Sequence, residues 1–182
     1  MNLMRRLDPA QTALLVIDWQ ERLFPAMPEG ERDDALRRAG DLVWLAGALE
    51  MPVVVSEQYP RGLGPTLAAL GPVDAVPKLT FSAFATPDFA ARVQACGRPT
   101  LLVTGMETHI CVAQTCRDAV AAGYDVWLVA DACLSRRPLD AALGRERIRD
   151  DGARVVTTEA ACFELVGAAG TPLFRALSQR VK

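Results

Sequence analysis

The chain has 182 residues, 51% of them hydrophobic, with 20 Lys and Arg against 22 Asp and Glu and a net charge of −2. That length and apolar content exclude a disordered chain and predict a single domain over residues 1–182. The acidic balance supplies no basic field for nucleic acid, and no apolar run approaches the ~20 residues of a membrane-spanning helix. Arg5 and Arg6 open the chain, but Leu7-Asp8-Pro9 breaks any signal-peptide core. Residues 13–17 are a short apolar run ending at Asp18, the pattern of a strand buried on both faces. A helix is predicted over 31–50, with Leu36, Ala39, Leu42, Val43, Ala46 and Leu49 on one stripe. Strands follow at 53–56, entered through Pro52, and at 73–77. Thr86-Pro87-Asp88 reads as N-cap, N1 proline and early acid, opening a helix to Ala95. Residues 99–104 form the next strand, and Gly105 turns the chain into a helix over 108–122 that Gly123 ends. A strand at 126–130 stops at Asp131. A helix over 138–151 closes at Gly152, a strand covers 154–157, and Thr171-Pro172 starts a terminal helix.

Strands alternating with helices predict an α/β fold. It is a three-layer sandwich with a six-stranded, mostly parallel Rossmann-like sheet and helices on both faces. Such sheets hold ligands at their carboxyl edge. Asp18, Gly105 and Asp131 are expected there.

Cys111 lies on that edge, at the start of a helix. Unpaired N–H groups and the positive dipole end favour a thiolate there, which predicts faster alkylation of Cys111 than of the other cysteines. The ordinary role of a free cysteine is that of a small buried hydrophobe, and it is assigned to Cys96, Cys116, Cys133 and Cys162. Cys116, five residues on, is expected on a different helix face. The spacing contains no CxxC pair and His109 is the only histidine, so zinc-finger spacing is absent. An odd count without a secretory segment argues against a disulfide framework and for a reducing, cytoplasmic setting. A nucleophilic thiol needs a base. His109 is too close in sequence to meet Cys111 side on, and is read as a capping or pocket-wall residue. Asp18 and Lys78 share the edge; alone, each also suits a turn former or a solvated charge.

Three ordered segments resemble the isochorismatase-like cysteine hydrolases, the superfamily of nicotinamidase and N-carbamoylsarcosine amidohydrolase. They are Asp18-Trp19-Gln20 with Phe24, then Lys78 with Ser82-Ala83-Phe84 and Thr86, then Gly105-Met106-Glu107-Thr108 leading to Cys111-Val112 and Thr115. Residues 57–66, from Glu57-Gln58-Tyr59-Pro60 to Thr66, resemble the isochorismatase-domain-containing branch, whose members largely lack an assigned substrate. The resemblance implies a catalytic triad of Asp18, Lys78 and Cys111, and attack on a small amide-type C–N bond through an acyl-thioester. It also implies a cis peptide at Met106–Glu107 and an oxyanion hole from the backbone N–H groups of Glu107 and Cys111. It implies a homo-oligomer, a dimer or larger.

Nicotinamidases carry a metal site with a histidine pair after the second strand. This chain has Glu57-Gln58-Tyr59-Pro60 there, so no metal and no cofactor are expected. Trp19, Phe24, Tyr59, Phe84 and His109 are the candidate pocket wall, although Phe24 and Phe84 equally suit the core. Arg61 and Arg136 have the chemistry to meet a substrate carboxylate, beside an ordinary solvated role. The expected partner is a small-molecule substrate, with neither nucleic acid nor membrane. Three alternatives stand beside amide hydrolysis: vinyl-ether cleavage of the isochorismatase type, a non-catalytic binding or regulatory member of the fold, and a thiol redox enzyme.

Overall fold

The computed structural model describes residues 6–181, so Arg5 lies outside the described residues. Six strands form one sheet: β1 Thr12–Ile17, β2 Val53–Gln58, β3 Ala75–Lys78, β4 Thr100–Met106, β5 Asp125–Leu134 and β6 Arg154–Val156. Their order is β3-β2-β1-β4-β5-β6, and all five pairings are parallel. Every residue of the two central strands, β1 and β4, is buried, which is why they read as continuous apolar runs.

The helices are α1 Glu29–Ala48, the short α2 Pro60–Leu63, α3 Pro87–Ala95, α4 Ala113–Ala121, α5 Pro138–Asp150, α6 Thr158–Val166 and α7 Pro172–Arg180. The period of two along β1 divides the core between the two faces. Leu14 and Val16 join Leu42 and Leu45 of α1, Cys162 of α6 and Leu177 of α7. Ala13, Leu15 and Ile17 join Phe89 and Val93 of α3, Cys116 and Ala119 of α4 and Ile148 of α5. The three-layer expectation holds.

Two of the boundary differences from the sequence expectation bear on the site. β5 runs past Asp131 to Leu134, through a register irregularity against β4 between Val103 and Gly105. Asp131 therefore does not end the strand. Its Oδ1 accepts from the backbone N (2.7 Å) and Oγ1 (2.9 Å) of Thr158, capping α6, a helix whose apolar run carried no clear period. The strand expected at 73–77 begins two residues later, and so ends on Lys78 itself.

Candidate active site

Register alone assembles a row of polar groups along the carboxyl edge. Ile17, just before Asp18, pairs with Ser56 of β2 and Gly105 of β4. Gln58 pairs with Lys78 of β3. The strand order reverses between β1 and β4, the position at which an open α/β sheet forms its ligand crevice.

Asp18 adopts φ of 54°, a left-handed conformation uncommon for a residue with a side chain. That turn breaks the alternation of β1. Continued extension would put Asp18 on the α1 face with Leu14 and Val16, and Trp19 on the other. Instead Trp19 joins the α1 face, while the Asp18 carboxylate acts on Cys111 in the opposite layer. Backbone strain of about 1–3 kcal/mol at such a residue persists only where surrounding bonds fix it. Those bonds are present. Asp18 N donates to Ser56 O (3.1 Å), and Ser56 Oγ donates to Asp18 Oδ1 (2.7 Å).

Lys78 Nζ donates to Asp18 Oδ2 at 2.7 Å, with both side chains fully buried. It also meets Gln58 Oε1 (2.6 Å), Thr80 O (3.2 Å) and Phe81 O (3.1 Å). A buried ammonium costs several kcal/mol to desolvate, and here a carboxylate and three neutral oxygens offset that cost. Gln20, completely buried, holds the neighbouring loop. Its Oε1 accepts from Gln58 N (2.8 Å), and its Nε2 donates to the carbonyls of Gln58 (3.0 Å) and Gly64 (2.7 Å).

Cys111 lies in the segment Thr108–Val112, a single π-turn leading into α4, with Val112 N donating to Glu107 O at 3.2 Å. The Met106–Glu107 peptide preceding it is cis. Gly105 is not the turn expected from the sequence, since it lies inside β4. A Cβ there would sit 2.5 Å from Ile17 O and 2.6 Å from Ile17 Cβ, so glycine permits β1 and β4 to approach beside the site. At Gly144 of α5 a Cβ would lie 2.9 Å from His109 Cα, so a second glycine lets α5 rest on the π-turn.

Cys111 is 7% exposed, and both Asp18 and Lys78 act on its thiol. Burial first, then the Asp18 charge and a hydrogen bond to that carboxylate, together push its pKa up to about 12 against the opposing effect of Lys78. The resting group is therefore a neutral thiol, not the thiolate expected from the helix start. Desolvation and a neighbouring anion outweigh the dipole.

The other predicted residues separate. Trp19 is completely buried in the α1 layer, its indole N–H donating to Thr104 Oγ1 at 3.2 Å, so it packs the core instead of lining a pocket. Phe24 packs against the same layer, 6.2 Å from the Trp19 ring. Phe84 stacks between Phe89 (6.0 Å) and Tyr124 (5.7 Å) in the Cys111 layer. Tyr59 stands 51% exposed, its N–H bonded to Lys78 O at 2.8 Å. His109 turns away to Ser135, with 2.9 Å between Nδ1 and Oγ. Cys116, in α4, is buried in the same layer of the core as Cys111. All five cysteines are free. Ser56, Gln58, Ser135 and the bonds of Arg136 to Glu107 carried no signal of their own, since each depends on strand register. Among the described residues, no group of three or more His, Cys, Asp and Glu side chains is placed to hold a metal ion.

A parallel α/β sheet with a buried thiol, carboxylate and ammonium at its switch point defines a hydrolase-like class of site. The isochorismatase domain model matches residues 12–160. Isochorismatase domain-containing protein 2 of Xenopus laevis is 34% identical over 93% of this chain and 83% of its own length. The structure described as MAR1 ribonuclease from Caenorhabditis elegans superposes with a TM-score of 0.88 at 29% identity, covering 97% of this chain and 92% of that one. YcaC of Escherichia coli, described as an octameric hydrolase of unknown specificity, superposes with a TM-score of 0.91 at 23% identity, covering 99% and 92%. The chain belongs to the isochorismatase-like hydrolase family.

Proposed function

We propose that the chain is a cysteine-dependent hydrolase of a small amide-type C–N bond, with Cys111 as nucleophile, Asp18 as proton shuttle and Lys78 as the charge that holds Asp18. The observation that carries this reading is the fully buried Lys78–Asp18 pair, 2.7 Å apart, acting on the Cys111 thiol. In the reaction, Asp18 takes the thiol proton as sulfur attacks the carbonyl carbon. The backbone N–H groups of Glu107 and Cys111 hold the oxyanion. Collapse breaks the C–N bond, and Asp18 gives its proton to the departing amine, leaving an acyl-thioester. Water then attacks the thioester carbonyl and transfers a proton to Asp18. The thiolate departs and recovers that proton from Asp18, and the acid is released. A neutral resting thiol suits this sequence, because the proton that Asp18 removes is the one the leaving group needs.

Of the expected pocket wall, Tyr59 alone is kept in the proposal: it is half exposed and bonded through its N–H to the Lys78 carbonyl. No cofactor enters the scheme. Vinyl-ether cleavage would leave the thiol unused, and a binding-only protein would leave the buried ion pair without work. The similar nematode protein is described as a ribonuclease, but a net charge of −2 gives little attraction for a polyanion. A cytoplasmic homo-oligomer is part of the proposal. Free cysteines support the compartment, and exposed Leu79, Phe81, Leu139 and Leu143 support self-association.

A screen of small amides, carbamates and ureides against wild type and Cys111→Ala tests the reading. Turnover by wild type alone is expected. Turnover that survives Cys111→Ala but is lost in Asp18→Ala would favour ether-type chemistry.

A further inference from the structure

The loop that leaves β3 supplies two of the oxygens around the Lys78 ammonium, the carbonyls of Thr80 and Phe81. Packing does not hold that loop. Leu79 is 76% exposed and Phe81 55%, and Thr80 between them is exposed too. A loop with so few apolar contacts opens readily unless polar bonds fasten it. Some of those bonds are local. Thr80 Oγ1 donates to Ser82 O at 2.8 Å and lies 2.9 Å from Thr86 Oγ1, and Gln58 Nε2 donates to Leu79 O at 2.9 Å. The anchorage across the molecule comes from α4. Ser82 Oγ donates to Asp118 Oδ2 at 2.5 Å, and Ala83 N donates to Thr115 Oγ1 at 2.9 Å. Ser82, Ala83 and Thr115 are all buried. Thr115 and Asp118, three residues apart, are neighbours on one helix face. They lie about one and two turns beyond Cys111. The helix that begins beside the thiol therefore also grips the loop that caps the ammonium.

We infer that Ser82 and Asp118 are positioning residues: their bond ties the loop that caps Lys78 to the helix that follows Cys111, and so sets where the ammonium stands relative to the thiol. This rests on the hydrolase reading above. A hydroxyl bonded to a carboxylate is among the stronger hydrogen bonds, so one contact can fix an otherwise exposed loop. Thr115 is the second fastening, on the backbone of the next residue. Neither Ser82 nor Asp118 touches the reacting atoms. Both act through the carbonyls of Thr80 and Phe81, and through Lys78. Lys78 favours the Cys111 thiolate, so a loop released from α4 should leave the thiol less reactive.

The test is alkylation of the folded protein by iodoacetamide at mildly alkaline pH, read cysteine by cysteine by peptide mass spectrometry. Sulfur displaces iodide, and the thiol proton is released to the buffer. Ser82→Ala should slow alkylation of Cys111 about three- to tenfold, the worth of one hydrogen bond, and leave Cys116, Cys133 and Cys162 at their wild-type rates. Asp118→Ala should match it. The double variant should be no slower than either single one, because both remove the same bond. Asp118→Asn, whose amide oxygen still accepts from Ser82, should recover most of the wild-type rate. A merely structural role has the opposite sign: a loosened fold exposes its buried thiols and speeds the alkylation of all four. That result would overturn the inference. So would a Cys111 rate unchanged in Ser82→Ala, or additive slowing in the double variant. Alkylation needs no turnover. Selective slowing at Cys111 without hydrolysis of any amide would sink the hydrolase reading alone, and Cys111-dependent hydrolysis with a Cys111 rate indifferent to Ser82→Ala would sink this inference alone.

Discussion

Each polar side chain of the site is fixed by at least one other, so single substitutions should give separable outcomes. Asp18→Asn removes the proton acceptor and also one of the causes that raise the Cys111 pKa. Turnover should fall about 10²–10⁴-fold, the usual worth of a positioned acid–base group. In the same variant the thiol should titrate below its wild-type value of about 12, measured by thiolate absorbance. A purely structural role for Asp18 would not predict that opposed pair. Lys78→Met leaves a carboxylate buried without its counter-charge and should cost about 3–5 kcal/mol in urea unfolding. Lys78, read by itself, suited a solvated charge, and the resemblance of its segment to the family gave it a role. Asp18 and Cys111 were legible as strand-end and helix-start residues. The thiol's protonation state was not, because burial and the charge of a residue 93 positions away decide it.

At the scale of elements, the sequence predicted the strands buried on both faces and missed what lies at their ends. β1 and β4 read correctly because apolar runs and strand length coincide there. The π-turn, the extension of β5 and helix α6 carry no period that marks them. Gly105 is the instructive case. It looked like a turn residue, yet it is a strand residue whose missing Cβ lets β1 and β4 meet. Gly105→Ala would press a methyl group to 2.5 Å from the Ile17 carbonyl oxygen. Overpacking of this kind costs about 1–3 kcal/mol. Differential scanning calorimetry should record a lower Tm, and the Asp18 turn that follows Ile17 should lose activity with it. An unchanged Tm would contradict the close-approach explanation.

For the whole molecule, buried thiols set the alkaline limit of stability. Cys111, Cys133 and Cys162 are pushed up from 9.0 to about 12, chiefly by burial, and Cys116 is raised in the same direction. Unfolded thiols lose their protons near the ordinary value, while folded ones keep theirs. Below about pH 9 the stabilisation is complete, and it declines as pH rises toward about 12 because the unfolded state then binds fewer protons. Urea midpoints should fall across that window, less steeply in Cys162→Ala. Light scattering in solution should give a mass above the 19.6 kDa of one chain if the exposed leucines are an interface between copies. The central claim, a covalent acyl group carried by Cys111, has a direct readout: rapid quenching of a turning-over amide followed by peptide mass spectrometry. The predicted result is a transient acyl mass on the Cys111 peptide, absent from Cys111→Ala together with turnover; steady hydrolysis by Cys111→Ala would contradict the account.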